Sequence, residues 1–191
     1  MSSHFFAMLS RMKNIYRWGL MRNTKAESLS EHSLEVAFIA HALALIKNKR
    51  FGGSLNAEHI AVAAMFHDTS EIITGDMPTP VKYYNEEIKK VYKQIEAVAD
   101  NTLINMLPED LKEDYLPLYT LDEEEKKIIK AADKISALIK CIEELNMGNR
   151  EFETAEKSTR EKLKELKAPE VDVFLDEFMG SFNLTLDELR C

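Results

Sequence analysis

Apolar residues recur at a helical spacing along most of the chain, and no segment alternates between apolar and polar residues as a half-buried strand does. Near the N-terminus, for example, Phe5, Met8, Leu9 and Met12 follow this spacing. The pattern predicts helices over residues 4–15, 29–47, 57–73, 86–106, 123–146, 151–166 and 169–182, with a shorter helical or irregular piece at 107–119. We therefore predict an all-α fold of about six or seven helices, in one domain that spans residues 1–191.

Polar residues at the ends of the apolar runs indicate where several helices begin and end. Ser28 and Glu31 have the spacing of a capping box. Asn56 and Asp122 each precede an apolar run and can cap the helix that follows. Gly148 comes just after the helix that ends at residue 146, which is a common position for glycine.

Two segments are predicted to be non-helical. Residues 17–28 are polar and contain Gly19, which is typical of a loop. Residues 74–81 contain Pro78 and Pro80, which lack a backbone donor and restrict the residue before them. We expect a loop in both places.

Residues 34–46 are almost wholly apolar, which predicts a helix buried on most sides. No apolar run reaches the ~20 residues that a membrane span needs, and residues 1–18 lack the apolar core of a signal peptide. Cys141 and Cys191 form no motif, so a disulfide framework is not expected. We predict a cytoplasmic protein with no membrane partner.

The net charge of −8 disfavours binding to a nucleic acid polymer. The charge is uneven, because residues 1–30 hold five cationic side chains and only one acid, Glu27. A locally basic segment on an acidic protein can bind a small anion. The alternative is an ordinary solvated helix face.

A histidine–aspartate pair, His67 and Asp68, follows an apolar run, where titratable groups are costly unless a partner satisfies them. His32 opens another apolar helix, and Asp133 has apolar residues four positions away on both sides. Two imidazoles and two carboxylates suit a divalent ion such as Mn²⁺, Fe²⁺, Co²⁺ or Zn²⁺. Without cysteine ligands, a structural zinc site of the finger type is not expected.

Each of these residues also has an ordinary explanation. His32 can be a hydrogen-bonded residue near a helix cap, and Asp133 can pair on the surface with Lys130 or Lys134. The histidine–aspartate pair in an apolar helix is the only unusual feature, and spacing alone does not decide for a metal.

Three segments give the sequence a recognisable character: SEHS at residues 30–33, FHDTSEIITGDMPTPVK at 66–82 and KAADKISA at 130–137. They resemble the HD-domain phosphohydrolases, and most closely the bacterial YfbR-like 5′-deoxynucleotidases. The N-terminal RWGLMRN and the later KCIEELNMGN extend the resemblance over nearly the whole chain. The resemblance implies an all-helical HD fold, a homodimer, and metal-dependent release of phosphate from deoxyribonucleoside 5′-monophosphates.

The resemblance also implies roles for individual residues. One divalent ion, with Mn, Co, Fe, Zn, Cu and Mg all open, is expected to bind four ligands: His32, His67, Asp68 and Asp133. Glu71, together with Asp68, is expected to be catalytic and to act near the attacking water. The expected substrate contacts are Arg17, Trp18, Asp76 and Thr79.

Chemistry gives each of these substrate residues a plausible task beside an ordinary one. Arg17 can bind phosphate with its planar fork or lie on the surface. Trp18 can exclude a ribose 2′-hydroxyl or fill a core position. Asp76 can accept from a 3′-hydroxyl or stabilise its turn. Glu71 can orient water or simply face solvent.

Three other functions stay open at this point. An HD hydrolase can act on a different nucleotide phosphate ester, such as a triphosphate or a cyclic dinucleotide. A helical domain can also bind nucleotide or metal without catalysis, although such a module would not need Glu71. The third function is a helix-bundle interaction protein that binds no metal.

Overall fold

The computed structural model of the protein describes residues 2–82 and 84–190. Seven α-helices in these ranges have ten or more residues, which agrees with the predicted number. The α-helices are α1 (Phe5–Leu9), α2 (Leu29–Phe51), α3 (Ala57–Phe66), α4 (Glu71–Thr74), α5 (Thr79–Lys82), α6 (Glu86–Ile104), α7 (Glu109–Tyr119), α8 (Glu123–Asn146), α9 (Glu153–Glu165) and α10 (Pro169–Phe178). Short 3₁₀ helices cover Ser10–Asn14, Arg150–Phe152, Met179–Asn183 and Glu188–Arg190.

The main core lies where α2 and α8 pack against each other and against α3, α9 and α10. Leu43, Ile60 and Ile135 are fully buried there, and Leu163 and Val171 close it from the C-terminal helices. Burying a side chain of this size stabilises the fold by about 1.5–3 kcal/mol. The all-α prediction is confirmed, since the described residues contain only one isolated bridge, between Tyr16 and Ser28.

A second apolar cluster forms around Phe5, Leu103 and Leu107. Phe66 and Ile72 pack against it from the chain segment that carries His67 and Asp68. This segment is therefore held between two cores, which fixes its position.

The predicted caps are confirmed. The Ser28 hydroxyl accepts from the Glu31 amide while the Glu31 carboxylate accepts from the Ser28 amide. Asn56 accepts from the His59 amide, and Asp122 from the Glu125 amide.

Several boundaries differ from the prediction, including those of the first helix and of the proline segment. The first helix is shorter, because a 3₁₀ turn at Ser10–Asn14 follows α1. The prediction that residues 74–81 contain no helix is wrong, since α5 begins at Thr79. Pro80 is tolerated there because the first turn of a helix has no use for its missing amide proton, and the Pro78 carbonyl accepts from Val81 and Lys82.

Helix α2 is the apolar core helix that the pattern at residues 34–46 predicted. Among the residues described, it alone is long and apolar enough to cross a membrane, with a mean hydropathy of 1.3 over an 18-residue window. This 18-residue window is shorter than the ~20-residue apolar run that the prediction required, and it does not contradict that prediction. The same window is 56% buried inside the protein, as expected for a central core helix. Cys141 is a buried free thiol, and Cys191 lies outside the described residues.

Candidate metal centre

The histidine–aspartate pair lies in a turn that ends helix α3. The predicted helix over 57–73 stops at Phe66, and residues 67–70 form a turn before α4 begins at Glu71. The Thr69 hydroxyl donates to the Phe66 carbonyl at 2.8 Å and so fixes this turn. In a continuous helix His67 and Asp68 would point about 100° apart. The turn removes this constraint and lets both side chains face one point.

The His32 ring is held in a single orientation by a contact at Nδ1, the nitrogen that faces away from the other predicted ligands. The Ser136 hydroxyl donates to Oε2 of Glu35 at 2.5 Å, so its oxygen accepts from Nδ1–H of His32 at 3.1 Å. Ser136 lies one turn after Asp133 on α8, and Glu35 lies one turn after His32 on α2. The His32 side chain is 1% exposed, and Nε2 has no hydrogen-bond partner among the described residues.

His67 is oriented in the same way by a different group. Its Nδ1 lies 2.7 Å from the Ala64 carbonyl, which can only accept, so Nδ1 carries the proton. Its Nε2 is also buried without a hydrogen-bond partner in the described chain. This Nε2 lies 3.1 Å from Oδ2 of Asp68, but the two are not aligned for a hydrogen bond. Backbone or carboxylate support of one ring nitrogen is typical of histidines whose other nitrogen binds metal.

Three of the four predicted ligands, His32, His67 and Asp68, come together at one place, and the fourth, Asp133, lies against His32. Nε2 of His32 lies 3.2 Å from Oδ1 of Asp133 and 3.6 Å from Oδ2 of Asp68. Ligand atoms of His32, His67 and Asp68 all lie within 4.8 Å of one another. Ligands about 2.1 Å from one cation are at most about 4.2 Å apart. The nitrogen–oxygen distances of 3.1–3.6 Å fit this limit. A cation between these atoms would also explain why two buried imidazole nitrogens have no hydrogen-bond partner among the described residues.

The charges of the cluster suit metal binding. Burial and the nearby Arg17 lower the pKa of His32, so its imidazole is neutral. Burial raises the pKa of Asp133, but His32 and Arg17 outweigh it and lower that pKa to about 2. The pKa of Asp68 is also lowered, by His67, His32 and Arg17 against the effect of burial. Burial lowers the pKa of His67, yet the Asp68 carboxylate raises it to about 9, which leaves a proton that a cation can replace.

Glu71 lies beside this cluster and is 4% exposed. Its Oε2 is buried and finds no hydrogen-bond partner in the part of the chain that the structure describes. Burial, with Asp68 and Asp76 nearby, raises the pKa of Glu71 to about 9. A carboxyl group with this pKa holds its proton at neutral pH, and a cation bound beside it would lower that pKa toward the range in which a general base works.

Arg17 reaches the cluster from the loop between the Ser10–Asn14 turn and α2. Its Nη1 donates to Oδ2 of Asp68 at 3.3 Å, and Nη2 lies 3.7 Å from Oδ1 of Asp133. Burial lowers the pKa of Arg17, but Asp133, Asp68 and Glu27 outweigh it and raise that pKa. The guanidinium is therefore a fixed positive charge directly beside the predicted metal ligands.

Trp18 stands next to Arg17 with an unusual backbone. Its φ of 60° lies in the left-handed region, which costs about 1–2 kcal/mol for a residue with a side chain. The indole Nε1 donates to Oε2 of Glu27 at 2.8 Å, and the ring packs on Phe152 at 5.4 Å. These contacts hold the strained conformation.

The other two predicted substrate residues follow α4. Asp76 is half-buried. Burial and the charge of Asp68 raise its pKa, and Arg17 and the Trp18 amide offset only part of this increase. It therefore lies among the groups that approach the cluster. Thr79 is exposed at the start of α5, and its role stays a prediction.

Four further residues at the site were missed by sequence reasoning. Glu27 contacts Arg17 and Trp18, and Ser136 and Glu35 support His32. The helical spacing of Ser136 from Asp133 and of Glu35 from His32 was an available signal. No sequence pattern pointed to Lys82. It donates to Glu96 at 2.7 Å and lies over the Tyr92 ring. Its positive charge partly offsets the increase in the pKa of Glu71.

Comparison with solved structures places the fold. An HD-domain phosphohydrolase from Listeria innocua is 26% identical, with a TM-score of 0.81 over 94% of this chain and 88% of that one. The HD phosphohydrolase DatZ of cyanophage S-2L, solved with dA and one catalytic Zn²⁺ ion, is 22% identical, with a TM-score of 0.64 over 95% and 96% of the two chains. The helical fold is that of the HD-domain phosphohydrolases.

Comparison of sequences gives the particular family. The 5′-deoxynucleotidase YfbR-like profile matches residues 4–182. A 5′-deoxynucleotidase from Vibrio vulnificus is 58% identical over 190 residues, which cover 98% of each chain. This chain belongs to the YfbR-like 5′-deoxynucleotidase family, and the predicted resemblance is confirmed.

Proposed function

We propose that this chain is a metal-dependent 5′-deoxynucleotidase, which releases phosphate from deoxyribonucleoside 5′-monophosphates. The names of its relatives support the substrate class. One observation carries the metal-dependent chemistry: two buried imidazole nitrogens, in His32 and His67, face two carboxylates and make no hydrogen bond within the described residues.

His32, His67, Asp68 and Asp133 hold the metal in this proposal. Two neutral imidazoles and two carboxylates accept several divalent ions, so Mn, Co, Fe, Zn, Cu and Mg all stay open. When bound, such an ion neutralises phosphate charge and lowers the pKa of a water molecule. The zinc of the cyanophage protein supports this class of cofactor.

Arg17 binds the phosphate in this proposal. Its guanidinium already lies against Asp68 and Asp133, so a phosphate beside the ligands would meet it without a large movement. A planar fork gives two parallel hydrogen bonds to phosphate oxygens.

Glu71, working beside Asp68, orients the attacking water and takes its proton. Its buried position next to the ligand cluster suits this role, and a cation held by the ligands would lower its raised pKa, so that the carboxylate is free to accept the proton. The proton moves from the water oxygen to a carboxylate oxygen of Glu71 as the water oxygen bonds to phosphorus. The bond between phosphorus and the 5′-oxygen breaks, and the 5′-oxygen leaves with the electron pair and takes up a proton to become the 5′-hydroxyl of the deoxynucleoside.

Trp18 and Asp76 select the deoxy sugar. The fixed indole leaves no room for a 2′-hydroxyl, while Asp76 accepts from the 3′-hydroxyl. Thr79 contacts the substrate from the start of α5. The strained and well-supported backbone of Trp18 supports this role, because such strain concentrates at functional sites.

The wider predictions belong to the same proposal. The whole chain is one domain that acts in the cytoplasm as a homodimer and binds no nucleic acid polymer. Exposed apolar residues on α2 and α6, such as Phe38 and Val98, support a subunit interface. Light scattering of the purified protein tests the dimer directly.

Phosphate release from matched ribo- and deoxyribonucleoside monophosphates tests the function. Each divalent ion is added in turn to protein stripped with a chelator. We expect release from deoxyribonucleotides only when a metal is restored. Equal hydrolysis in the presence of chelator, or no hydrolysis of any monophosphate, would overturn the proposal.

A further inference from the structure

The loop that carries Arg17 and Trp18 has no regular secondary structure; it is tied at its neck, at Arg22, which donates to Glu151, and at its far end. At its neck the Arg17 amide donates to the Glu27 carbonyl at 3.0 Å, and the Leu29 amide donates to the Ile15 carbonyl at 2.8 Å. At its far end the loop rests on the C-terminal end of α8. The contacts at the far end involve Glu144 and its neighbours, none of which is a predicted metal ligand.

Glu144 on α8 receives the far end of the loop. Its carboxylate accepts from the Thr24 amide at 2.9 Å, the Thr24 hydroxyl at 2.7 Å and the Lys25 amide at 3.2 Å. The Glu144 side chain is 1% exposed, so water does not compete for these donors. Burial raises the pKa of Glu144, but Lys140, Asn149 and Thr24 outweigh it and keep that pKa well below its usual range.

Lys140 and Asn149 complete the arrangement from the other side. Lys140 Nζ donates to the Glu144 carboxylate and to the Lys25 carbonyl, both at 2.5 Å. Asn149 Nδ2 donates to Glu144 at 2.8 Å and to the Arg22 carbonyl at 2.6 Å. We name Lys140, Glu144 and Asn149 the loop-anchoring cluster. All three lie in the KCIEELNMGN motif, which the proposed chemistry does not use.

The loop-anchoring cluster also reaches Trp18 indirectly, through Phe152. Lys140 Nζ lies 5.7 Å from the centre of the Phe152 ring, and the centre of the Trp18 indole lies 5.4 Å from that of Phe152. Asn23, which lies between the anchored residues and Trp18, donates to the Trp18 carbonyl at 3.2 Å. The left-handed backbone of Trp18 is thus supported from the same end of α8.

We propose that Glu144 is a positioning residue, which through the loop-anchoring cluster fixes Trp18 and Arg17 at the substrate site. The expected effect of Glu144 on substrate binding rests on the proposed function. Its effect on the orientation of Trp18 rests on geometry alone. A buried carboxylate with donors from one loop and one helix can hold both in a single relative position.

Glu144→Gln is the test, because the amide keeps the shape but turns an NH₂ group toward donors that need an acceptor. Trp18 is the only tryptophan in the chain, so its fluorescence reports this loop without any assay of activity. We expect its emission to shift to longer wavelength and acrylamide quenching to increase. We also expect a rise of about tenfold in KM for a deoxyribonucleotide and a smaller preference for deoxyribose over ribose.

Glu143→Gln is the matched control. Glu143 precedes Glu144 on the same helix, is exposed, and carries the same charge. We expect it to leave the fluorescence, the KM and the sugar preference unchanged. Bound metal per chain should be equal in both variants, because the loop-anchoring cluster does not touch the predicted ligands.

Thr24→Val is a second and milder variant, which removes one donor to Glu144 and keeps the size of the side chain. It serves if Glu144→Gln does not fold. A change in Trp18 fluorescence with a raised KM supports the proposal in either variant. Unchanged fluorescence and sugar preference in a folded Thr24→Val or Glu144→Gln protein overturns it. If the wild-type protein hydrolyses no deoxyribonucleotide, the proposed function fails while the fluorescence still decides the role of Glu144.

Discussion

Ser136 offers the sharpest single test of the metal centre, because it does not touch the metal position itself. In Ser136→Ala, Nδ1 of His32 loses the hydroxyl oxygen that accepts its proton at 3.1 Å. His32 is 1% exposed, so bulk solvent does not reach Nδ1. The imidazole can then carry its proton on Nε2, which faces Oδ1 of Asp133 at 3.2 Å.

The cost of this change can be estimated from one hydrogen bond. Metal binding must move the proton away from Nε2 and give up its attraction to a carboxylate. A hydrogen bond to a charged group contributes about 1.5–3 kcal/mol. This agrees with the loss of about ten- to hundredfold in metal affinity that is usual when a residue supporting a ligand is removed.

Competition with a coloured chelator measures the affinity of each metal-free variant for Zn²⁺ or Mn²⁺. Ser33→Ala is the control, because Ser33 is also a buried serine, adjacent to His32, and its hydroxyl has no hydrogen-bond partner among the residues described. We expect Ser33→Ala to bind metal as the wild type does. Equal affinities of Ser136→Ala and Ser33→Ala would refute the reasoning on the orientation of His32.

Three further predictions concern the proposed chemistry. Asp68→Ala should lose bound metal and phosphate release together while circular dichroism still shows a helical protein; retained metal would count against Asp68 as a ligand. Glu71→Gln should keep metal and substrate binding but lower kcat by about 10²–10⁴-fold, and near-normal turnover would show that another group handles the water. Trp18→Ala should admit ribonucleotides, with the deoxy-over-ribo ratio of kcat/KM falling by about tenfold or more; an unchanged ratio would contradict exclusion by the indole.

The helices of this protein were predictable because local chemistry defines their ends. Ser28 and Asp122 each satisfy free amides at a helix start, and this signal depends only on residues three positions away. The end of α3 was not predictable in the same way. Residues 57–73 keep a helical pattern, and the turn after Phe66 depends on the Thr69 hydroxyl and on packing against distant residues.

The composition of the metal centre was predictable, but its support was not. The ligand types in His32, His67, Asp68 and Asp133 are visible in the sequence, and the structure brings them together; their role as ligands stays a prediction. The contact of Arg17 with two carboxylates joins positions far apart in the chain, and no local pattern encodes such a pairing. The KCIEELNMGN motif was recognised only as part of a resemblance, because its contacts with the N-terminal loop are equally distant.

The separation of Ser136 from His32 by 104 positions has a consequence for biosynthesis. His32, His67 and Asp68 leave the ribosome well before α8 has been made. On the proposed ligand set, a cation caught by the nascent chain at that time would lack both Asp133 and the hydroxyl that sets the His32 proton. Tight loading must therefore wait until α8 has docked, so the finished enzyme acquires its metal as a late step of folding.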